Sequence, residues 1–593
     1  MQSLPPGPVF LAKSLPYLLA PAAVTLGVLR LADKQLGLTV SPWTSALLAL
    51  LVRPILFVFQ RYYSRWADAR AAAGMGASIL PHVEEKGLGF AGTTIIKRML
   101  RDVAQGYPGD SFLEWSQTYG NTYQMRLLSD NRVFTTEPEH VKQILATQFN
   151  AFEKGPYIQK IFQTFLGTGV FNSDGEMWKF HRAMTRPFFT RERISHFEMF
   201  DFNADRALKL AKARLREGYP IDIQDLVARF TLDSATQFLF GSNVDSLSAG
   251  LAYPESSGIP NSSDFTNHPS NLFVDAFMAG QLASGTRSRI GSIWPLMEFW
   301  KDTVTPLRKV IDEFTEPLLE EALAKKAKNQ DTKEGEDHGD TLLSHLVHQT
   351  EDRTVLIDEL LNLLVAGRDT TASTLTFSFY MLSENPKIAD RLRQEILEKV
   401  GPNNMPTYEN IREMKYLRAF LNEVLRLYPP VPFDGRTTNK AVVLDSKVPG
   451  SKRWYIAGQT RVLYSIFHMQ RRTDLWGPDA EVFDPDRFLD ERVHKFLTPN
   501  PFIFTPFNAG PRICLGQQFA YQESSFFLVR LMQQFTNFHL APDAQPANSK
   551  PPATWAECGG RKSVEKVMPS LHLTMSVKGG LWGRMDEVKS DAV

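Results

Sequence analysis

Only two cysteines occur in 593 residues, and one of them, Cys514, lies in the stretch PFNAGPRICLGQQF between Gly510 and Gly516. Glycines on both sides of a thiol let backbone approach a flat ligand where a Cβ would collide. A proline-free helical pattern begins just behind Cys514, with Arg512 beside it. The helix dipole and that charge both favour the thiolate, the reactive and metal-binding form of cysteine. An inert buried thiol is the usual reading of a lone cysteine, but the surrounding pattern is too long and specific for it.

A second place of interest is the stretch DRTVLIDELLNLLVAGRDTTASTLTFSFYMLSE, residues 352–384, the longest helical pattern without proline. It is apolar on most faces, as a central buried helix would be. In its middle stand Gly367, Asp369, Thr370 and Thr371, which are poor helix residues. A run that breaks its own rule at one spot predicts a local distortion with a use. Elsewhere, Glu423 and Arg426 are three apart in LNEVLRL and so share one helix face. Trp178 and Arg182 in GEMWKFHRAMTRPF, Arg436 after YPPVPFDG and Arg487 in FDPDRF complete the set. Taken singly, each of these arginines would be read as a solvated surface charge.

These residues must be positioned by a large body. The chain is 43% hydrophobic with a net charge of +1 from 66 basic and 65 acidic residues, so a sizeable core is available. The balance leaves no basic footprint for nucleic acid, and two cysteines suit a reducing compartment. Ahead of the body lie two apolar runs, residues 16–31 and 38–59, followed by Arg61, Arg65 and Arg70 with Tyr62, Tyr63 and Trp66. Residues 1–70 therefore read as a membrane anchor of one span or a hairpin, with the body on the cytosolic side. A secretory signal would account for the first run alone, but the second would still stop transfer. Residues 71–95 read as a linker and 96–593 as one mostly helical domain with a small β region. Short strands are expected at YQMRLL, RVFTT and SLHLTMSV, and polar loops at 246–271 and 324–340.

At this point the sequence resembles the cytochrome P-450 family, whose haem loop reads Phe-x-x-Gly-x-Arg-x-Cys-x-Gly. Phe507, Gly510, Arg512, Cys514 and Gly516 fill every fixed position. The resemblance implies haem b with Cys514 as the iron ligand, Phe507 against the thiolate, and Arg512, Trp178, Arg182 and Arg436 toward the propionates. An anionic sulfur pushes electron density to iron and favours O–O cleavage. Glu423, Arg426 and Arg487 correspond to a structural triad, and Asp369 and Thr370 to an acid–alcohol pair that relays protons for dioxygen cleavage. The fold implied is the cytochrome P450 fold, mainly α, with haem between the central helix and the helix behind Cys514.

The wording AGRDTT and FNAGPRICLGQQFAYQE resembles that of the fungal membrane-bound alkane and fatty-acid hydroxylase branch. That implies insertion of one atom of O2 into a C–H bond of an alkane, fatty acid or aromatic xenobiotic. Pocket candidates are Phe273, Phe277, Ala366, Val431, Phe433 and Val567. No nicotinamide or flavin fingerprint is present, so electrons are expected from NADPH through a separate NADPH–cytochrome P450 reductase, with cytochrome b5 as an optional second donor. Lys179, Arg186, Arg191 and Arg193 are candidates for its docking face. The expected location is the endoplasmic reticulum membrane. Two other readings, a reductase-independent haem-thiolate isomerase or dehydratase and a non-catalytic haem sensor, are separated from this one by NADPH-dependent oxygen consumption.

Overall fold

The computed structural model describes residues 4–84, 92–127, 130–194, 197–331, 341–447 and 450–588. Two long helices come first, Pro6–Leu36 and Pro42–Gly74, and pack against each other. Both are long and apolar enough to cross a membrane, and none of their apolar stretch is buried. The turn between them is built from Gly37, in the left-handed region at φ 66°, and Ser41, whose hydroxyl caps the second helix at the Thr44 N–H. At 33 residues the second helix is about 50 Å long, well over the apolar thickness of a bilayer. Its surplus carries Arg61, Arg65 and Arg70 and a ladder of rings, Phe59 on Tyr63 at 6.0 Å and Tyr63 on Trp66 at 5.8 Å.

The helix runs to Gly74, four residues past the expected anchor boundary, and Ser78–Ile79 then pair with Trp454 and Tyr455. Of the remaining expected linker, residues 85–91 lie outside the described residues.

The central helix is the axis of the body. Arg353–Leu364 is α-helical, Val365–Asp369 widens into a π-turn, and Thr370–Glu384 resumes the α-helix. Nearly every residue from Leu356 to Leu382 is buried. Helix Gln517–Gln534 packs against its second half, and helix Ile223–Phe240 crosses it at the π-turn. Beside this helical mass, Thr122–Leu127, Asp130–Thr135, Arg461–Ser465, Phe433–Thr438 and Phe152–Glu153 form one five-stranded sheet in that order.

Two expected strands, YQMRLL and RVFTT, are the first hairpin of that sheet, apart from Leu128, which lies outside the described residues. The third needs correction. SLHLTMSV is a hairpin of Pro569–Leu571 and Met575–Val577, closed by the His572 N–H on the Thr574 carbonyl. An alternating pattern without glycine or proline gives no sign of such a turn. The expected loops are also partly helical: Ser263–Thr266 is a helical turn, Pro269–Ile290 begins inside the first loop, and Val304–Asp331 runs into the second. Residues 332–340 lie outside the described residues.

Candidate active site

Cys514 stands on a short loop between a 3-10 turn, Gly510–Arg512, and helix Gln517–Gln534. The loop is tied internally: the Cys514 N–H donates to the Phe507 carbonyl and the Ile513 N–H to the Gly510 carbonyl, both at 3.0 Å. Gly510 is at φ 68°, and a Cβ there would overlap the Leu145 carbonyl oxygen. Phe507 packs its ring on Tyr521 at 5.1 Å. The thiol lies deep in the protein, yet its surface is open because it faces a cavity.

Burial pushes the Cys514 thiol up, and the Gly516 N–H and the Arg182 charge pull it back. Arg512, expected to act on the thiolate, is instead committed to Asp174 at 2.6 Å and to the Ser173 carbonyl at 3.0 Å. Arg182 takes that role, held by the Ile513 carbonyl at 2.8 Å.

The cavity encloses about 570 Å³. Cys514, Leu515 and Gly516 form one wall and Ala366, Gly367, Thr370 and Thr371 line another. The π-turn on that wall has a visible cause. Gly367 sits so close to helix Ile223–Phe240 that a Cβ would come within 3.0 Å of the Ala235 Cβ, and the Thr231 hydroxyl donates to the Arg368 carbonyl at 3.1 Å. Close approach and a competing donor replace one turn of the normal ladder. Thr370 Oγ1 donates to the Ala366 carbonyl at 2.8 Å. Asp369 accepts from Arg368 Nη1 at 2.5 Å and from the Gln281 amide, and is buried. His572, at the tip of the corrected hairpin, also lines the cavity; burial lowers its pKa, Asp369 raises it and Arg289 lowers it.

On a third wall, Trp178, Arg182, Arg436 and Arg512 come together with Lys154. Arg512 lies over the Trp178 ring at 4.5 Å and Arg182 at 5.9 Å. Lys154 and Arg436 share Asp434, at 3.0 Å and 2.8 Å. Burial lowers Lys154 to about 8 despite Asp434, and it lowers Arg512 to about 10. Burial would raise the Asp434 carboxyl, but Arg436 and Lys154 hold it below the usual carboxylate range.

Four cations against Asp174 and Asp434 leave an excess of positive charge, and Arg512 Nε is buried with no hydrogen-bond partner among the described residues. A flat group with two carboxylates, lying over Cys514, answers both features. The residues therefore fit haem.

The structural triad is formed: Arg426 grips Glu423 with bonds of 2.6 Å and 2.7 Å, and Arg487 Nε lies 3.5 Å from Glu423. The pocket candidates divide. Ala366, Val431 and Phe433 line the cavity, while Phe273, Phe277 and Val567 do not. Phe273 stacks on Phe314 at 4.3 Å, Phe277 lies 5.8 Å from Phe165, and Val567 belongs to the core behind the central helix. Aromatic residues at helical spacing serve core packing as readily as a pocket, and the cavity instead meets the far end of that helix at Gly285, Ser288 and Arg289. Sequence reasoning missed Asp174 and Asp434, although both stand within four residues of a motif residue that it did select, as well as Lys154 and His572.

Comparison with known proteins agrees with this geometry. The family model described as Cytochrome P450 matches residues 96–556. Cytochrome P450 52A12 of Debaryomyces hansenii is 36% identical over 484 residues, covering 79% of this chain and 88% of that one. Cytochrome P450 52A3-A of Candida maltosa is 37% identical, covering 70% and 77%. Cytochrome P450 monooxygenase himC of Aspergillus japonicus is 35% identical, covering 74% of each.

Proposed function

This chain belongs to the cytochrome P450 family and is a monooxygenase, and from that premise we propose that it hydroxylates lipophilic chain compounds, alkanes or fatty acids, at a C–H bond. One observation carries the reading: a largely apolar cavity runs from Cys514 past the π-turn to Val431, Phe433 and Leu463. Such a lining excludes water and holds a long hydrocarbon.

Haem, when bound, supplies the activation of dioxygen that the side chains lack. The chain's own residues do the rest. Cys514 provides the anionic sulfur, and Arg182 and the Gly516 N–H stabilise its charge. Lys154, Arg436, Arg512 and Trp178 orient the carboxylates of the bound group. Asp369, steadied by Arg368 and Gln281, takes up a proton at a carboxylate oxygen and passes it on toward Thr370 Oγ1. The Thr370 hydroxyl, which now donates to the Ala366 carbonyl, can turn to donate into the cavity instead, since the π-turn leaves that face of the helix widened.

Electrons come from NADPH through a separate membrane-bound reductase, with cytochrome b5 as an optional second donor. Arg186 is exposed and its charge acts on Arg182, Lys179 pairs with Glu176 at 2.7 Å, and Arg191 and Arg193 stack on Tyr408 and Phe188. These charges favour an acidic partner whose binding weakens with salt. The two apolar helices support an anchor in a membrane, which we read as the endoplasmic reticulum with the body in the cytosol.

Reductase-coupled membranes supplied with alkanes, fatty acids and polycyclic aromatics test the reading, with products identified by position. Alcohols near the chain end support it. Oxidation of aromatics at mixed positions, with chain compounds untouched, overturns the substrate class and leaves the monooxygenase. Oxygen consumption independent of NADPH and of any reductase overturns the electron source.

A further inference from the structure

The cavity has a second charged region, away from Cys514 and from the Arg436 cluster. Arg132 and Arg461 are partners on adjacent strands of the five-stranded sheet. Cross-strand partners project from one face, and by register Arg461 shares its face with Phe433 and Leu463 while Arg436 belongs to the opposite one with Val462. Arg461 and its partner therefore project from the opposite face of the sheet to Arg436, although the one cavity reaches both. Arg289, near the end of helix Pro269–Ile290, reaches the same place: its carbonyl accepts from Arg132 at 3.4 Å, and the neighbouring Ser288 hydroxyl accepts from Arg461 at 3.3 Å. All three arginines line the cavity.

Their charge is under-matched. Among the described residues, Asp130 is the one carboxylate in ion-pair range, 3.4 Å from Arg132 and 3.7 Å from Arg461. Arg289 has no carboxylate against it among these residues. Arg132 Nη2, Arg289 Nη1 and Arg461 Nη1 are each buried with no hydrogen-bond partner among the described residues. Burial lowers Arg289 and Arg461 to about 10, which still leaves both charged at neutral pH. Buried guanidinium nitrogens without partners are costly unless something meets them, and their planar forks suit a carboxylate.

The geometry points to an anion-binding subsite made by Arg132, Arg289 and Arg461 that holds the carboxylate of a long-chain fatty acid. Its chain would then run along Phe433 and Leu463 toward Cys514, so that carbons remote from the carboxyl group are the ones presented. This rests on the reading of the cavity as a pocket for lipophilic chains. It adds that the chain enters with a fixed polarity and that an acid is preferred to a neutral chain of the same length.

The test is equilibrium binding to the haem-loaded, full-length protein in bilayer discs, by calorimetry, with dodecanoic acid and its methyl ester at neutral pH. The acid is expected to bind at least tenfold more tightly than the ester. In Arg289→Met the ratio should fall to near one, and Arg289→Lys, which keeps the charge, should restore part of it. Equal affinities for acid and ester in the unaltered protein overturn the subsite while leaving chain oxidation standing. Failure of both to bind overturns the subsite and the lipophilic-chain reading together. The acid–ester ratio in the unaltered protein decides the matter even if the variants do not fold.

Discussion

Two groups of arginines in this protein make opposite use of the same side chain. Arg426 and Arg487 are almost wholly buried around Glu423: Arg426 bonds Glu423 twice and the Gln470 carbonyl at 2.8 Å, Arg487 bonds the Asp479 carbonyl at 2.8 Å, and Arg487 Nε, without a hydrogen bond among the described residues, lies 3.5 Å from the Glu423 carboxylate. The Asp484 N–H closes the other side of Glu423 at 2.9 Å. Arg132, Arg289 and Arg461 also keep one nitrogen each without a hydrogen bond among the described residues, but these three line a cavity, and Arg289 has no carboxylate in ion-pair range among those residues. Where donors and acceptors are matched, the network clamps helix Lys415–Leu427 to the segment that leads to the Cys514 loop. Where they are not, the mismatch faces a cavity. Whether the unmet donors face a carboxylate or open space, rather than burial or residue type, separates a structural cluster from a binding one.

The sharpest way to break this comparison is to open the closed cluster. Glu423→Gln leaves Arg426 and Arg487 buried without their shared anion. Breaking such a pair costs about 3–5 kcal/mol, so little haem-loaded protein should be recovered and its melting temperature should drop steeply. A variant with normal yield and melting would show that the carbonyl acceptors alone satisfy these arginines.

Next in size is the π-turn, where the proposed proton relay starts from a carboxylate that is already paired. Asp369 has Arg368 and Gln281, so Asp369→Asn should leave folding nearly intact. Its effect should fall on proton delivery, as should that of Thr370→Ala. Product formation is expected to drop on the order of 100-fold while NADPH consumption continues. The measurement is product formed per NADPH consumed, and an unchanged ratio in both variants would remove the relay from Asp369 and Thr370.

How far the sequence foretells these features depends on how local their causes are. The Cys514 loop, the Glu423–Arg426 pair and the π-turn are each carried by consecutive residues, so their patterns are visible in the chain. The distortion at 365–369 announces itself through Gly367 and the threonines, although its physical partners, Ala235 and Thr231, are more than a hundred residues away. Features assembled from distant segments stay hidden. Arg132, Arg289 and Arg461 come from three elements, and nothing near any of them marks it as different from a surface arginine. The same holds for Phe273 and Phe277, whose spacing suits either a pocket or a core until the helix Val304–Asp331 is seen to cover them. The turn at His572 is hidden for another reason, since no glycine or proline signals it.

A smaller effect sharpens the comparison through pH, because a buried histidine kept neutral is a matched network that acid can unmatch. Burial lowers His468 to about 3 and His140 to about 4. His468 Nδ1 is bonded to the Ser465 hydroxyl at 2.9 Å, and its ring lies against Phe433 and Phe467. The unfolded chain takes up these protons near pH 6.5 and the folded one does not. Stability is therefore complete above about pH 6.5 and is lost as pH falls toward the folded values. From pH 7 to 5 the loss from His468 is about 2 kcal/mol, at 1.36 kcal/mol for each unit. His468→Gln should flatten the fall in melting temperature over that range, whatever it does to the absolute value. An equally steep fall would place the acid sensitivity elsewhere.

The smallest effect has the opposite sign to the first and separates the two clusters most cleanly. Arg289→Met removes a buried charge that has no carboxylate against it among the described residues and leaves an apolar side chain of similar length. Replacing an ill-matched buried charge by a hydrophobic residue is neutral or stabilising, so the ligand-free melting temperature should hold or rise, by up to about 1 kcal/mol in stability terms. Glu423→Gln and Arg289→Met each alter one member of a buried arginine cluster, yet one should unfold the protein and the other should not. A clear loss of stability in Arg289→Met would mean that the cavity-wall arginines, like the Glu423 cluster, hold the fold together. Unmet donors that face a cavity would then no longer mark a binding site off from a structural one.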